Sequence, residues 1–169
     1  MKLGVAACRV SALLLLLGLV CSAAMSTESP RAALDFFRGE WTIKGSEYSY
    51  NESCIWLPGN GFIVCHAEDR SETQPSFSMS VFGYSEADEQ YTYTGYGSSG
   101  TQRTMRGNRH EGIWRFHGQS ERGPNWQRWQ VTMTPTTEGF HFREEVSDRS
   151  GPWKVVVEFT YVRKAKTTS

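Results

Sequence analysis

From Glu40 to Arg163 the chain is a series of short runs in which apolar and polar residues alternate. Trp41 and Ile43 begin it. Phe77, Met79 and Val81 alternate with serines, and Tyr91 and Tyr93 with threonines. Trp114 and Phe116, then Trp129, Val131 and Met133, then Phe140 and Phe142 continue the pattern. Trp153, Val155, Val157, Phe159 and Tyr161 make the longest one-sided run. A period of two is the mark of a half-buried strand, and no helical period of 3.6 competes with it here. Clusters of Gly, Pro, Asn, Asp and Ser separate the runs, as at Gly107–Gly112, Gly123-Pro124-Asn125 and Ser147–Pro152. About ten strands joined in sequence by tight turns predict an antiparallel up-and-down meander, a barrel or a sandwich. Closure into a barrel is favoured, because it removes the unpaired edges.

The region before Glu40 reads differently. Residues 1–24 carry no aromatic and no acidic residue, whereas all 22 aromatics lie between Phe36 and Tyr161. Lys2 and Arg9, an apolar run from Val10 to Val20, and Ser22-Ala23-Ala24 predict a secretory signal cleaved before Met25. The run is too short for a spanning helix of about 20 apolar residues. Cys21 would suit a lipid-modified terminus, but Val20 is large for that processing. A polar leader (25–32) follows, and a short helix is expected from Pro30 to about Phe37. The barrel domain is then 33–164, with a tail at 165–169. Without the signal, 16 basic residues face 18 acidic ones, with no polybasic block. Nothing here has the concentrated positive footprint of a nucleic-acid binder. No second long apolar run follows, so no membrane span is expected after cleavage.

Two cysteines remain beyond the signal. Pro58-Gly59-Asn60-Gly61 is a strong turn between strand-forming residues. If those four residues form the loop, Cys54 lies directly opposite Cys65. Opposed residues of an antiparallel pair approach disulfide distance, and an exported chain meets oxidising conditions. The other reading is two small buried thiols on one face. Metal ligation lacks a matching second pair.

Gly39-Glu40-Trp41 at the end of the opening helix resembles the Gly-x-Trp signature of the lipocalin and calycin superfamily. Most of the domain, roughly 33–163, resembles a family of uncharacterised, often exported bacterial proteins with a calycin-like barrel. The resemblance runs through Leu34–Trp41, Cys54-x-Trp-Leu-Pro-Gly, Cys65-His66, Phe82-Gly-Tyr84 and Tyr161-x-Arg163. It implies a ten-stranded barrel in which Arg163 packs over Trp41 and closes one end. It implies no function, since fold does not carry one. A haem-binding branch of such barrels uses a His near the last strand. Lys154–Arg163 contains none, and no cofactor is expected.

Other motifs have plain readings. Gly95-Tyr-Gly97-Ser-Ser-Gly100 matches a dinucleotide fingerprint in letters alone, because a strand rather than a helix follows it. His66, His110, His117 and His141 have no zinc spacing. Neighbouring acids at Glu68-Asp69 and Glu144-Glu145 point to opposite strand faces. No nucleophile elbow is present, and no catalytic residue is assigned. Asn51-Glu-Ser53 is a glycosylation sequon, relevant in a eukaryotic secretory pathway.

Alternation assigns Phe77, Met79, Tyr91, Tyr93, Trp114, Phe116, Trp129, Met133, Phe140, Phe142 and Phe159 to one face, the candidate lining of a ligand cavity. On that register Met79→Arg should abolish binding or folding. The first expectation is non-catalytic binding of a small hydrophobic molecule inside an exported barrel, periplasmic or extracellular. The second is an envelope structural or inhibitor module with a filled barrel that acts through its loops. The third is a cofactor-independent barrel enzyme, whose mark would be titratable groups converging inside the barrel. The sequence is silent on the ligand's identity and on the oligomeric state.

Overall fold

The computed structural model of the chain describes residues 28–120, 126–148 and 150–164. The expected signal, the start of the polar leader, the turn at 123–125 and the tail lie outside the described residues. Ten antiparallel strands form a closed barrel. They are β1 (Gly39–Ile43), β2 (Tyr50–Trp56), β3 (Phe62–Asp69), β4 (Ser76–Ser85) and β5 (Gln90–Gly97), followed by β6 (Gln102–His110), β7 (Ile113–Ser120), β8 (Gln127–Pro135), β9 (Gly139–Asp148) and β10 (Lys154–Arg163). Each strand pairs with its neighbour in sequence. β1 pairs with β10 through Trp41 opposite Arg163, which removes the last free edge.

The short helix expected over Pro30–Phe37 takes the form of a six-residue 3₁₀ segment, Ala32–Phe37. The Ser29 hydroxyl accepts the Ala32 N–H at its start. Ala33, Leu34 and Phe37 are buried across one end of the barrel. Phe37 stacks on Phe82 with ring centroids 4.2 Å apart and leans on Trp114 at 4.9 Å. The plug is fastened at its rim. Trp56 Nε1 donates to Asp35, the Tyr91 hydroxyl donates to the Pro30 carbonyl, and Arg31 pairs with Glu86.

The interior is aromatic. Trp114 and Phe116 are fully buried and parallel, and Val131, Met133, Phe140 and Phe142 pack around them. One residue on two facing strands must be small for these rings to fit. A Cβ on Gly107 would lie 2.0 Å from the Arg115 carbonyl oxygen, so β6 and β7 approach closely there.

Cys54 is opposite Cys65, and the two form a disulfide across β2 and β3. The turn between them follows the expected pairing, with Trp56 opposite Ile63. The bridge spans 11 residues of sequence. On the chain-entropy account, its removal costs about 3 kcal/mol. Replacing both cysteines by Ala should therefore lower the urea midpoint, with a slope no shallower than the parent's because the unfolded chain loses its constraint. An unchanged midpoint would show that the hairpin is already held in the unfolded chain.

Two stretches depart from the alternation read from the sequence. On β4 the inward residues are Ser80, Phe82 and Tyr84, because Phe82 is opposite Ile63 and Tyr93, and Ser80 is opposite Cys65. Phe77, Met79 and Val81 consequently lie on the outer wall, and Phe77 is 54% exposed. Their side chains do not point into the interior, although Met79 borders the open end of the barrel. On β10 the register slips between Val155 and Val157. Such a bulge turns every residue before it to the other face, so Val155 is 43% exposed while Val157, Phe159 and Tyr161 point inward.

Candidate functional site at the barrel mouth

The end opposite the 3₁₀ plug is less completely filled. Gly95 and Gly97 on β5 present no side chain, and Ser78 and Ser80 on β4 present small ones. A pocket of about 290 Å³ opens there, bounded further by Met79, Tyr93, Tyr96, Thr101, Arg103, Met105 and Glu144. Arg103 on β6 reaches across the mouth to pair with Glu144 on β9. The same guanidinium lies 5.3 Å from the ring centre of Trp129, a favourable cation–π distance. Trp129 Nε1 is buried and has no hydrogen-bond partner among the described residues. The pocket is of mixed polarity, with hydroxyls, one ion pair and aromatic faces.

Below the mouth lies a second space of about 20 Å³, walled by Trp41, Phe82, Met133, Phe142, Tyr161 and Glu52. A single water needs roughly 10–15 Å³ on this measure, so the space is water-sized. Ser80 and Tyr93 belong to the walls of both spaces. Their hydroxyls lie 3.5 Å apart at the boundary.

Glu52 on β2 points into this inner space and is 8% exposed. Its Oε2 accepts the Tyr50 hydroxyl at 2.8 Å, and Tyr50 and Tyr161 hydroxyls are 2.9 Å apart. Tyr50 has one proton and gives it to Glu52, so Tyr161 donates to Tyr50. Burial raises the Glu52 pKa; the Tyr50 and Tyr161 hydroxyls pull the other way without cancelling it. Burial also raises the Tyr50, Tyr93 and Tyr161 hydroxyls, with the Glu52 charge as a further cause in each.

The sign of the resulting pH dependence follows. A carboxyl whose folded pKa exceeds its unfolded value takes up a proton on folding. Its contribution is complete below the ordinary value of 4.5 and is lost as pH rises through the raised folded value. Glu145, held below the ordinary range by Gln130 and Arg143, acts oppositely, its contribution fading only on acidification. Between mildly acidic and mildly alkaline pH the Glu52 effect should dominate. Melting temperatures measured across that window should fall for the parent chain and stay flatter for Glu52→Gln. Equal slopes for the two proteins would remove Glu52 as the cause.

The residues predicted to line a ligand cavity divide into three groups. Tyr93 borders the mouth, and Trp129 flanks it under Arg103. Tyr91, Trp114, Phe116, Met133, Phe140, Phe142 and Phe159 fill the barrel itself. Phe77 belongs to the outer wall, and Met79, on the same face of β4, borders the mouth. The sequence reading missed Glu52, Arg103 and Glu144. Each is a polar residue at an inward position of its strand, and the alternation of Glu52 with Cys54 was the available signal. Glu52, Cys54 and Cys65 place ligand-type atoms within 4.8 Å of one another, but the disulfide removes both sulfurs as thiolate ligands. No described helix is long and apolar enough to cross a membrane. No known family profile matches the chain, and no curated protein matches it in sequence.

Proposed function

We propose that this protein is a non-catalytic carrier or receptor that binds one small, largely hydrophobic molecule at the mouth of a calycin-like barrel, in the cell envelope or outside the cell. The observation that carries the reading is the pocket of about 290 Å³ at one end of an otherwise filled, rigid barrel. Rigid walls hold a pocket open without the cost of ordering it on binding. Tyr93, Tyr96, Met79 and Met105 offer apolar contact, and the serines and the Arg103–Glu144 pair orient a polar group. The Arg163–Trp41 contact at 4.2 Å and the Gly39-Glu-Trp41 motif support the calycin-like assignment. The Cys54–Cys65 bridge supports export, since such bonds persist in oxidising compartments.

A surface-acting module is the second reading. Ile55, Leu57, Phe62 and Phe77 are all exposed on or beside β2–β4, and exposed apolar groups of this kind mark contact surfaces. Glu52 with its tyrosines is the convergent titratable group that an enzyme would need. However, the space that reaches it holds about one water molecule, so no substrate-sized reaction chamber surrounds it.

The test is binding of N-phenyl-1-naphthylamine, followed by its fluorescence. A Cβ on Gly95 would make only ordinary contact, 3.5 Å from the Tyr93 hydroxyl. Gly95→Leu should therefore fill the mouth while sparing the core. The parent chain should bind the probe and Gly95→Leu should lose it at unchanged thermal stability. Binding that survives this substitution would move the site away from the mouth.

A further inference from the structure

We propose that the water-sized space beneath the mouth seats the ligand's polar end, and that Glu52 there donates a hydrogen bond to an uncharged accepting oxygen such as a ketone or aldehyde carbonyl. The inference rests on the mouth being a binding site and names the chemistry of what it takes.

Three observations converge on Glu52. The first is position. The inner space and the mouth share Ser80 and Tyr93 as walls, so a molecule lying in the mouth has its inner end directed at that boundary. The second is the state of the carboxyl. Its Oε2 is occupied by the Tyr50 hydroxyl. Within hydrogen-bonding reach of Oε1, the described residues offer Cys54 Sγ at 3.8 Å. That sulfur is bonded to Cys65 and has no hydrogen to give. The disulfide therefore gives Oε1 no hydrogen, and the Tyr161 hydroxyl, engaged with Tyr50, is the carboxyl's other polar neighbour, so a new partner in the space would be favourable. The third is charge. Among the described residues that wall the space, Glu52 is the one with an ionisable acid or base of ordinary range. The other titratable groups facing it are Tyr50 on its own strand, Tyr161 on β10 and Tyr93 on β5. No cation among the described walls favours the ionised form, and burial raises the Glu52 pKa, which favours the protonated carboxyl. With Oε2 accepting from Tyr50, the protonated carboxyl carries its hydrogen on Oε1, toward the space.

A protonated carboxyl in an aromatic wall selects among ligand ends. A carbonyl oxygen accepts its proton and is about the size of the water that fits. A carboxylate would bring a negative charge into a space whose described walls hold no cation. An ammonium would bring three donors and a positive charge against a neutral carboxyl whose Oε1 is itself a donor. An apolar end would leave Oε1 unpartnered.

The experiment displaces N-phenyl-1-naphthylamine with three probes of equal chain length: 2-nonanone, nonanoate and nonylamine. At pH 6 the ketone should compete about tenfold or more better than either charged probe, the discrimination expected when a buried donor is left unmatched. Its advantage should shrink as pH rises and Glu52 ionises. Glu52→Gln, whose amide still donates, should keep the preference and lose its pH dependence. Glu52→Leu should lose the preference about tenfold yet still bind N-phenyl-1-naphthylamine. Should both Glu52 variants fail to fold, Ser80→Val decides, because it narrows the shared wall and should cost the ketone's preference alone. A parent chain on which nonanoate or nonylamine matches the ketone overturns the inference, with nonanoate pointing to Arg103 as the head-group site. An unchanged preference in Glu52→Leu or Ser80→Val overturns it too. Failure to bind N-phenyl-1-naphthylamine at all would overturn the mouth as a site as well, so the two failures are distinguishable.

Discussion

Phe82→Arg is expected to abolish folding, while Met79→Arg, three residues earlier on the same strand, should leave stability within about 0.5 kcal/mol of the parent chain. Phe82 is 4% exposed and is sandwiched between the rings of Phe37 at 4.2 Å and Tyr93 at 4.9 Å. Removing such a ring alone costs about 3–5 kcal/mol. An arginine there adds an unpaired charge inside the aromatic stack, worth several kcal/mol more. The sum is comparable to the whole stability of a domain, about 5–15 kcal/mol. Met79 faces outward between His66 and Tyr96, where a guanidinium keeps its water. Soluble yield and urea unfolding of the two variants give the answer. If Met79→Arg collapsed and Phe82→Arg were tolerated, β4 would run in the other register, since a one-residue slip exchanges its two faces.

Trp41→Ala should cost about 3–5 kcal/mol in urea unfolding, the range for deleting a fully buried large aromatic. Trp41 is 2% exposed and touches Phe140 edge-to-face at 5.1 Å. Its Nε1 donates to the Phe37 carbonyl at 2.7 Å, which ties the plug to the first strand. Arg163 covers the other ring face at 4.2 Å and donates to the Arg38 and Phe36 carbonyls at 2.8 and 3.1 Å. The last strand is in this way fastened to the first and to the plug by one side chain. Gly39 makes room for it. Its φ is 132°, and a Cβ there would lie 2.6 Å from the guanidinium. Arg163→Ala should cost about 1–3 kcal/mol through the lost carbonyl bonds and stacking. The double variant should cost less than the two singles together, because the stacking is lost only once. Strict additivity would mean that the guanidinium contributes through the carbonyls alone.

The extent to which the architecture was legible varies from strand to strand. β7, β8 and β9 have a single apolar face each, so Trp114, Phe116, Val131, Met133, Phe140 and Phe142 went inward as the alternation requires. The Cys54–Cys65 hairpin was legible for a local reason, since its four-residue turn sets the pairing on both arms. β4 was misread because Ser-Phe-Ser-Met-Ser-Val-Phe-Gly-Tyr is apolar on both faces. Three outward residues, Phe77, Met79 and Val81, outnumber the inward Phe82 and Tyr84. A count along one strand chooses the longer pattern, but the partners choose otherwise. Ile63 and Tyr93 can meet only Phe82 across the ladder. The bulge at Val155–Val157 is likewise invisible in a sequence whose valines read the same on either side of it.

Local sequence therefore determined the all-β class, the number of strands, the turns and the disulfide. These depend on residue preferences and contacts within a dozen positions, which a linear pattern records. The site was decided by closure of the barrel. Glu52, Tyr161 and Tyr93 come from β2, β10 and β5, and Arg103 and Glu144 from β6 and β9. Each is an unremarkable polar residue along its own strand. Their proximity, the burial that raises the Glu52 pKa, and the open space beside Gly95 exist because ten strands share one interior. Burial and electrostatic coupling are properties of that shared volume, and no single strand contains them.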